Sequence, residues 1–405
     1  MTEKPVVRFL DRTTAPHVLT LILLAGVSAL NMSVFLPSLN GMTAYFGTEY
    51  AVMQLAVSGY LAATAVLQVL VGPLADRFGR RPVVLWALAL FTLATIGALF
   101  APTVEVFLAF RMAQAVVATG MVLSRAVVRD MVPADQAASM IGYVTMGMAL
   151  VPMVGPMIGG ALDQLFGWHA TFVFLAGAGA LVWALCYRDL GETVSGGGVG
   201  FRDQLRSYPE LLTSPRFWGY VACAAFGSGA FFALLGGASF VAGTAFHLSP
   251  FWTGMALGSP AIGYAVGNGI SGRLSVRVGI DRMILWGTGV STFGMGLSLV
   301  LSLGGVHHPL VFFGLCTFLG LGNGIMLPNA TAGSLSVRPH LAGTASGLGG
   351  AIMIGGGAAL SALAGSLLTE ETGAIPLQVI MLVTSALAGV SILLVMARTR
   401  ALGEA

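Results

Sequence analysis

The chain has 405 residues, of which 56% are hydrophobic and only 9% carry a charge, with a formal net charge of +3. A water-soluble domain is about one-quarter charged, so this composition excludes a protein whose whole surface faces water. Inside a bilayer the backbone must satisfy its own hydrogen bonds, which leaves helices or closed barrels. Barrel strands alternate over about ten residues, whereas the apolar runs here are far longer, so we expect an all-α membrane protein.

Apolar stretches of about 20 residues, enough to cross a bilayer as a helix, recur along the chain. The sequence predicts twelve transmembrane helices, at residues 17–39, 51–74, 83–101, 105–127, 137–162, 170–187, 217–243, 251–272, 283–303, 309–333, 344–368 and 376–397. The longest polar gap follows the sixth of these spans and contains three successive glycines from Gly196. We therefore expect a six-helix bundle at 1–190, a cytoplasmic linker at 191–215 and a second six-helix bundle at 216–405.

Positive residues concentrate on one side of the predicted spans. Of the 19 lysines and arginines, 17 fall in the N-terminal segment, the C-terminal tail or the loops that follow even-numbered spans. Cytoplasmic loops carry such an excess, so we expect an even number of spans with both termini in the cytoplasm. The first span has no small-residue cleavage site and is expected to be retained as a multi-pass segment of a bacterial-type inner (plasma) membrane.

The loop after span 2 carries a dense charged string. It reads Gly72-Pro-Leu-Ala-Asp76-Arg77-Phe-Gly79-Arg80-Arg81-Pro82. Gly79 permits a tight turn, and the Asp76 carboxylate can pair with a neighbouring arginine or face the positive end of a helix. Together with Asp130 at the end of span 4, this loop is expected to form a cytoplasmic gate.

A degenerate copy of the same string follows span 8, from Gly272 to Arg282. Related loops at the same place in both halves indicate an internal repeat of two parallel six-span bundles. In the second copy Val276 lies in the region where the first has Asp76, so we expect the second half to lack this aspartate.

Arg111 lies deep in predicted span 4, where a charge costs several kcal/mol and marks a functional site. We expect it to line a central cavity and to bind substrate or tune proton binding; the alternative is a structural arginine that bonds carbonyl groups between helices. Arg125 lies nearer the cytoplasmic end and is expected to act as a gate or to reach toward the interface. Other polar residues within spans are candidate cavity residues, with interhelical hydrogen bonding as their alternative role: Asn31, Ser33, Gln54, Tyr60 and Gln114.

Span 5 contains the string Gly155-Pro156-Met-Ile-Gly159-Gly160. Proline removes a helical hydrogen bond, and two glycines four residues apart let another helix approach closely. A packing kink without further function is the alternative.

These strings resemble known signatures. The loop at 72–82 resembles the signature between the second and third spans of the major facilitator superfamily, and the span 5 string resembles the antiporter signature of its drug-exporting members. The segment Arg111-Met-Ala-Gln114-Ala115 is similar to the Arg-x-x-Gln-Gly element of this superfamily, with Ala115 in place of glycine.

Further segments resemble the bicyclomycin/chloramphenicol-resistance (Bcr/CflA) type of drug:proton antiporter: 33–39, Phe166-Gly167-Trp168, Glu192-Thr193 and 340–348. The resemblance covers most of the chain and implies the major facilitator fold, multidrug efflux and antibiotic resistance.

The chain departs from this type at one position. Members usually carry an aspartate four residues before the proline of span 1, where this chain has Ser33. None of the 16 acidic residues lies deep in a predicted span. The remaining candidates for a proton carrier are Glu49, Glu105, Asp163 and the histidines.

The sequence therefore favours a secondary active transporter and not an enzyme, since the predicted spans contain no paired aspartates or metal-ligating cluster. We expect export of a small, mainly apolar or amphipathic compound by alternating access, with proton antiport. The alternative is a facilitator or importer of a small metabolite without proton coupling, which the absence of a span 1 carboxylate favours. We expect a monomer whose partners are the substrate, membrane lipid and protons, with no cofactor, metal or nucleic acid.

Overall fold

Long helices joined by short turns make up the computed structural model. It describes residues 7–131, 154–193, 209–338 and 341–401, together with residues 140, 144 and 151. Within those ranges the chain contains no strand, which confirms the all-α prediction. Parts of predicted span 5 and most of the predicted linker, including its three successive glycines from Gly196, lie outside the described residues.

Ten helices in the described ranges are long and apolar enough to cross a membrane. They correspond to predicted spans 1–4, 6, 7 and 9–12: Val18–Phe46, Tyr50–Phe78, Arg80–Leu99, Val104–Val128, Trp168–Asp189, Pro215–Ala245, Ile280–Leu303, Pro309–Ser336, Thr344–Leu367 and Ile375–Ala401. Span 5 is represented by the helix at 154–166, and span 8 by Pro250–Leu257 followed by Ser259–Val278. The predicted order of spans is therefore retained, with ends that shift by a few residues.

Several spans contain a short segment with a different helical hydrogen-bond pattern. In span 1 a 3₁₀ turn at Leu36–Ser38 contains Pro37, and the helix then continues to Phe46, beyond the predicted end. Span 4 has a 3₁₀ segment at Gln114–Ala118, directly after Arg111, and span 7 ends in a π-helical turn. Such interruptions bend helices and are frequent near functional residues.

The turns after spans 2 and 8 share one backbone conformation. Gly79 has φ 92° and ψ 148°, and Gly279 has φ 91° and ψ 151°. Residues that carry a side chain rarely adopt a positive φ of this kind, so both turns require glycine. The repeat is thus structural, although Val276, at the place of Asp76, is 95% exposed and offers no carboxylate.

Spans 8 and 10 approach each other to backbone contact through glycines. An added Cβ would overlap a carbonyl oxygen of the other helix at Gly263, Gly267, Gly320 and Gly324. Small residues four apart permit this approach, and in lipid such packing replaces the hydrophobic effect as the force between helices. The glycine content of Ser259–Val278 therefore reflects helix packing and explains why this span is less apolar than the others.

We expect Gly320→Ala to destabilise the protein by about 1–3 kcal/mol, because the new methyl group would overlap the carbonyl oxygen of Pro260. Thermal unfolding in detergent measures the effect. Gly314→Ala is the matched control, since Gly314 lies on the same helix with no atom within 4 Å of an added Cβ. Equal melting temperatures for the two variants would contradict the packing described here.

Candidate functional site

A cavity of about 320 Å³ lies between the two halves at the end that holds the turns after spans 2 and 8, hereafter the arginine-rich end. Spans 2 and 4 and the start of span 3 line it from the first half, and spans 7, 10 and 11 line it from the second. Its polar and flexible lining groups include Gln68, Asp76, Arg80, Met121, Arg125, Tyr220, Thr331, Ser334, Ser346 and Met353, beside the backbone at Gly72. A cavity of this size with a few polar groups can hold a small organic molecule.

At the opposite end the two halves are hydrogen-bonded to each other. The Asn40 side-chain amide donates to the Ser239 carbonyl at 2.7 Å, and the Ser239 hydroxyl donates to the Leu36 carbonyl at 2.6 Å. The Tyr50 hydroxyl donates to the Gly236 carbonyl at 2.9 Å. The cavity therefore lies at the arginine-rich end, while the opposite end, hereafter the closed end, is sealed.

The Gly-Pro string of span 5 lies at the closed end between span 1 and span 8. An added Cβ at Gly159 would overlap the carbonyl oxygen of Val34 in span 1. At Gly160 it would overlap the carbonyl oxygen of Pro250, at the start of span 8. The close helix approach predicted for this string is thus present, and it extends to the other half of the molecule.

The charged string after span 2 forms an ion-pair cluster with the end of span 4. The Arg80 guanidinium contacts the Asp130 carboxylate at 2.5 Å and lies 3.5 Å from that of Asp76. The Thr193 hydroxyl donates to Asp130 at 3.0 Å. Arg77 is exposed, with its guanidinium 5.3 Å from the ring of the next residue. The structure therefore brings together three of the predicted gate residues and leaves Arg77 outside the cluster.

Glu192 caps the turn between spans 2 and 3. Its carboxylate accepts from the backbone N–H of Arg80 at 3.0 Å and of Arg81 at 3.3 Å, at the positive end of the span 3 helix. An added Cβ at Gly79 would displace this carboxylate, while the positive φ of Gly79 is what requires glycine. Arg81 Nε donates to the Leu190 carbonyl at 2.9 Å. The end of span 6 is thereby fixed to the turn.

Asp189 is a fully buried carboxylate that the sequence does not distinguish from a loop acid, because predicted span 6 ends at residue 187. It accepts from the backbone N–H of Leu10 at 2.7 Å and of His17 at 2.9 Å, and from the Thr20 hydroxyl at 2.5 Å. These three donors hold the segment before span 1 against the end of span 6.

Arg111 is fully buried in the first half. Its Nε donates to the Ala56 carbonyl at 3.0 Å, and Nη2 donates to the Asn31 carbonyl at 2.8 Å. Nη1 donates to the side-chain oxygens of Asn31 and Gln114 at 2.7 and 2.5 Å. The guanidinium thus joins spans 1, 2 and 4, and its described acceptors are carbonyl and amide oxygens with no carboxylate among them.

Two aromatic rings enclose the same guanidinium. The Arg111 Cζ lies 4.1 Å from the ring centroid of Phe35 and 4.3 Å from that of Tyr60, distances typical of cation–π contacts. The predicted cavity residues are at most 2% exposed: Asn31, Ser33, Gln54, Tyr60, Arg111 and Gln114. They line no part of the cavity at the arginine-rich end, and Gln54 lies at the closed end. Substrate contact by these residues stays a prediction.

The second half contributes cavity residues that the sequence alone did not indicate, Tyr220 and Ser334 among them. The Tyr220 hydroxyl donates to Asp281 at 2.7 Å, which joins span 7 to the turn after span 8. Ser346 falls in the segment at 340–348, which stood out only by its resemblance. The apolar helices of this half show no periodic polar face, so packing alone determines which side chains reach the cavity.

We expect Asp189→Asn to free the segment before span 1, because an amide in place of the carboxylate presents N–H groups to donors. Limited trypsin digestion at Arg8 and Arg12 should become several-fold faster. The control is Asp11→Asn in the same segment: among the described residues the Asp11 carboxylate accepts from Thr13, and these hydrogen bonds lower the pKa of Asp11. Unchanged cleavage in Asp189→Asn would contradict the role of this carboxylate.

We expect Arg111→Lys to lower the yield of folded protein and its melting temperature. A lysine ammonium cannot reproduce the planar fork that bonds four oxygens between two rings. The loss should be about 3–5 kcal/mol, as for other broken buried charge networks. Size-exclusion profiles and melting curves beside Arg77→Lys, an exposed control, would measure it. Equal stability of the two variants would contradict this role.

Comparison with known proteins agrees with the geometry. The chain is 28% identical over 327 residues to a chloramphenicol resistance protein of Pseudomonas aeruginosa, covering 78% of this chain and 76% of that protein. It is 26% identical to a bicyclomycin resistance protein homolog of Haemophilus influenzae, covering 88% and 90%. A bacterial homolog of the human lysosomal transporter Spinster, in an inward-facing and occupied conformation, shares the fold with a TM-score of 0.73 at 17% identity, covering 95% and 96%. Since the sequence profile of the Major Facilitator Superfamily matches residues 21–362, the chain belongs to that superfamily.

Proposed function

We propose that the protein exports small, mainly apolar or amphipathic organic compounds, antibiotics included, by alternating access in exchange for protons. One observation carries this proposal: a cavity between the halves at the arginine-rich end is combined with a hydrogen-bonded seal at the other end. That is one of the two end states that alternating access requires. The names of the relatives, which refer to chloramphenicol and bicyclomycin resistance, support a drug as the cargo.

We assign the arginine-rich end to the cytoplasm, because cytoplasmic loops of membrane proteins carry the excess of positive residues. Both termini then lie in the cytoplasm of a cell bounded by an inner membrane. In this orientation the structure is open to the cytoplasm and would receive a compound that is to be exported. The Arg80 cluster would rearrange as the cytoplasmic end closes, and the span 5 string would separate from Pro250 as the closed end opens.

The Arg111 cluster supplies a fixed positive charge within the first half. Since its described acceptors are neutral oxygens, the charge is spread over the cluster without being cancelled. A bound compound that reaches this region would be favoured if it carries hydrogen-bond acceptors or a negative charge, and a cation would be disfavoured. This charge also opposes protonation of neighbouring groups.

Proton coupling needs a group that gains and loses a proton between the two states. Glu49 and Glu105 are exposed, whereas Asp163, in the helix that carries the span 5 string, is partly buried. We therefore favour Asp163 among the three predicted carboxylates. The alternative, a facilitator that uses no proton gradient, is favoured by Ser33 at the position where related antiporters carry an aspartate.

Flux in proteoliposomes tests this function. We expect chloramphenicol to accumulate inside proteoliposomes whose interior is made acidic and to leak out when an ionophore collapses the proton gradient. Asp163→Asn should reduce gradient-driven accumulation about tenfold or more, as loss of a required proton carrier does, and Glu105→Gln should not. Flux of the same size with and without the gradient would reject antiport in favour of facilitation. Absence of flux for a panel of antibiotics would reject drug export.

A further inference from the structure

Gln54 lies in the first turns of span 2, at the closed end, and is 1% exposed. Its side-chain Nε2 donates to both oxygens of Ser361, to the carbonyl at 2.7 Å and to the hydroxyl at 2.8 Å. The Ser58 hydroxyl donates to Gln54 Oε1 at 3.3 Å. The Gln54 side chain, in the first half, therefore donates both of its N–H groups to one residue of span 11, in the second half.

Two glycines of the second half enclose this side chain. An added Cβ at Gly236 in span 7 would lie 2.7 Å from Gln54 Nε2, and one at Gly365 in span 11 would lie 2.7 Å from Gln54 Cγ. Neither contact leaves space for a methyl group. Gly236 and Gly365 thus form a socket for the Gln54 side chain. The Gly236 carbonyl also accepts from the Tyr50 hydroxyl, so the socket adjoins the other hydrogen bonds of the closed end.

The position of these bonds ties them to one conformation. They join the two halves, so they exist only while the closed end is sealed. When that end opens, water replaces the Ser361 oxygens as partners of the amide, and the socket is vacated. An interaction present in one state and absent from the other shifts the equilibrium between them by its own net free energy.

We propose that Gln54 is the latch of the closed end: a positioning residue that sets the equilibrium between the two end states and does not bind the transported compound. This inference rests on the proposed alternating-access function. It replaces the expectation that Gln54 lines a substrate cavity, because both N–H groups of its amide are directed at the opposite half of the protein.

The chain contains a matched control in Gln378 of span 12, which is also fully buried. Its Nε2 donates to the carbonyl of Ser298 at 3.2 Å, to the Ser298 hydroxyl at 2.9 Å and to the Ser302 hydroxyl at 2.8 Å. The chemistry matches that of Gln54, but spans 9 and 12 belong to the same half. These bonds therefore need not break when the halves move.

The test uses the full chain in lipid nanodiscs and two thiol reporters. Ser346→Cys lies in the cavity at the arginine-rich end and is exposed, whereas Ser239→Cys lies in the seal and is fully buried. Because Ser239→Cys replaces a hydroxyl that bonds the Leu36 carbonyl, each variant is compared only with the parent that carries the same reporter. The natural cysteines at 186, 223 and 316 are buried and react slowly in folded protein. Rates of maleimide labelling at the two reporters are compared with and without Gln54→Ala or Gln378→Ala.

We expect Gln54→Ala to slow labelling of the cavity reporter and to accelerate labelling of the seal reporter, changing the ratio of the two rates about fivefold or more. Gln378→Ala should leave the ratio within twofold of the parent. An unchanged ratio in Gln54→Ala would overturn the proposal, and so would equal acceleration at both reporters, which marks a loosened fold.

A second variant tests the socket without removing the amide. Gly365→Ala should push the Gln54 side chain out of its socket and change the labelling ratio in the same direction, whereas Gly314→Ala should not. Flux measured on the same samples separates the two proposals. A shifted ratio in a protein that transports no antibiotic retains the latch and rejects drug export; normal export with an unshifted ratio rejects only the latch.

Discussion

The structure depends on a constraint of the bilayer: a polar group inside it must find its partners within the protein. Arg111 is the clearest case, because one guanidinium bonds oxygens from spans 1, 2 and 4 and lies between two aromatic rings. The guanidinium, whose charge disfavours membrane insertion, is therefore the group that joins three helices of the first half. The same requirement applies to Gln54 and Gln378, whose amides bond serine oxygens of neighbouring helices.

Both glycine contacts and side-chain hydrogen bonds occur within the halves and between them, but the described hydrogen bonds between the halves are individually weak. Spans 8 and 10 meet at glycine backbones, where a single added methyl group would collide. Across the closed end, side-chain hydrogen bonds from Asn40, Tyr50 and Gln54 join the halves beside the glycine contact of the span 5 string with span 8. Each is worth about 1 kcal/mol net, since water offers a replacement partner once the end opens. A protein built in this way can separate its halves without loosening either bundle.

The two ends carry different polar chemistry. The arginine-rich end uses ions, with Arg80 beside Asp76 and Asp130, while the described closed end uses neutral amides, hydroxyls and glycine contacts. Exposed ion pairs weaken with salt and contribute little each, so an ionic cluster can rearrange at small cost. The sealed end excludes water, and neutral hydrogen bonds there avoid the desolvation of charge.

Composition and charge placement were sufficient to predict the helical fold, the order of the spans and the common side of the arginine-rich turns, because these follow from the cost of polar groups in lipid. The strings at 72–82 and 155–160 likewise predicted an ion-pair cluster and a close helix contact. Tertiary structure alone decided that Asp189 is buried, that Tyr220 and Ser346 reach the cavity, and that Gln54 faces the second half. Apolar helices carry no periodic signal that separates a lipid-facing side from a helix-facing or cavity-facing one, so these assignments arise only from packing.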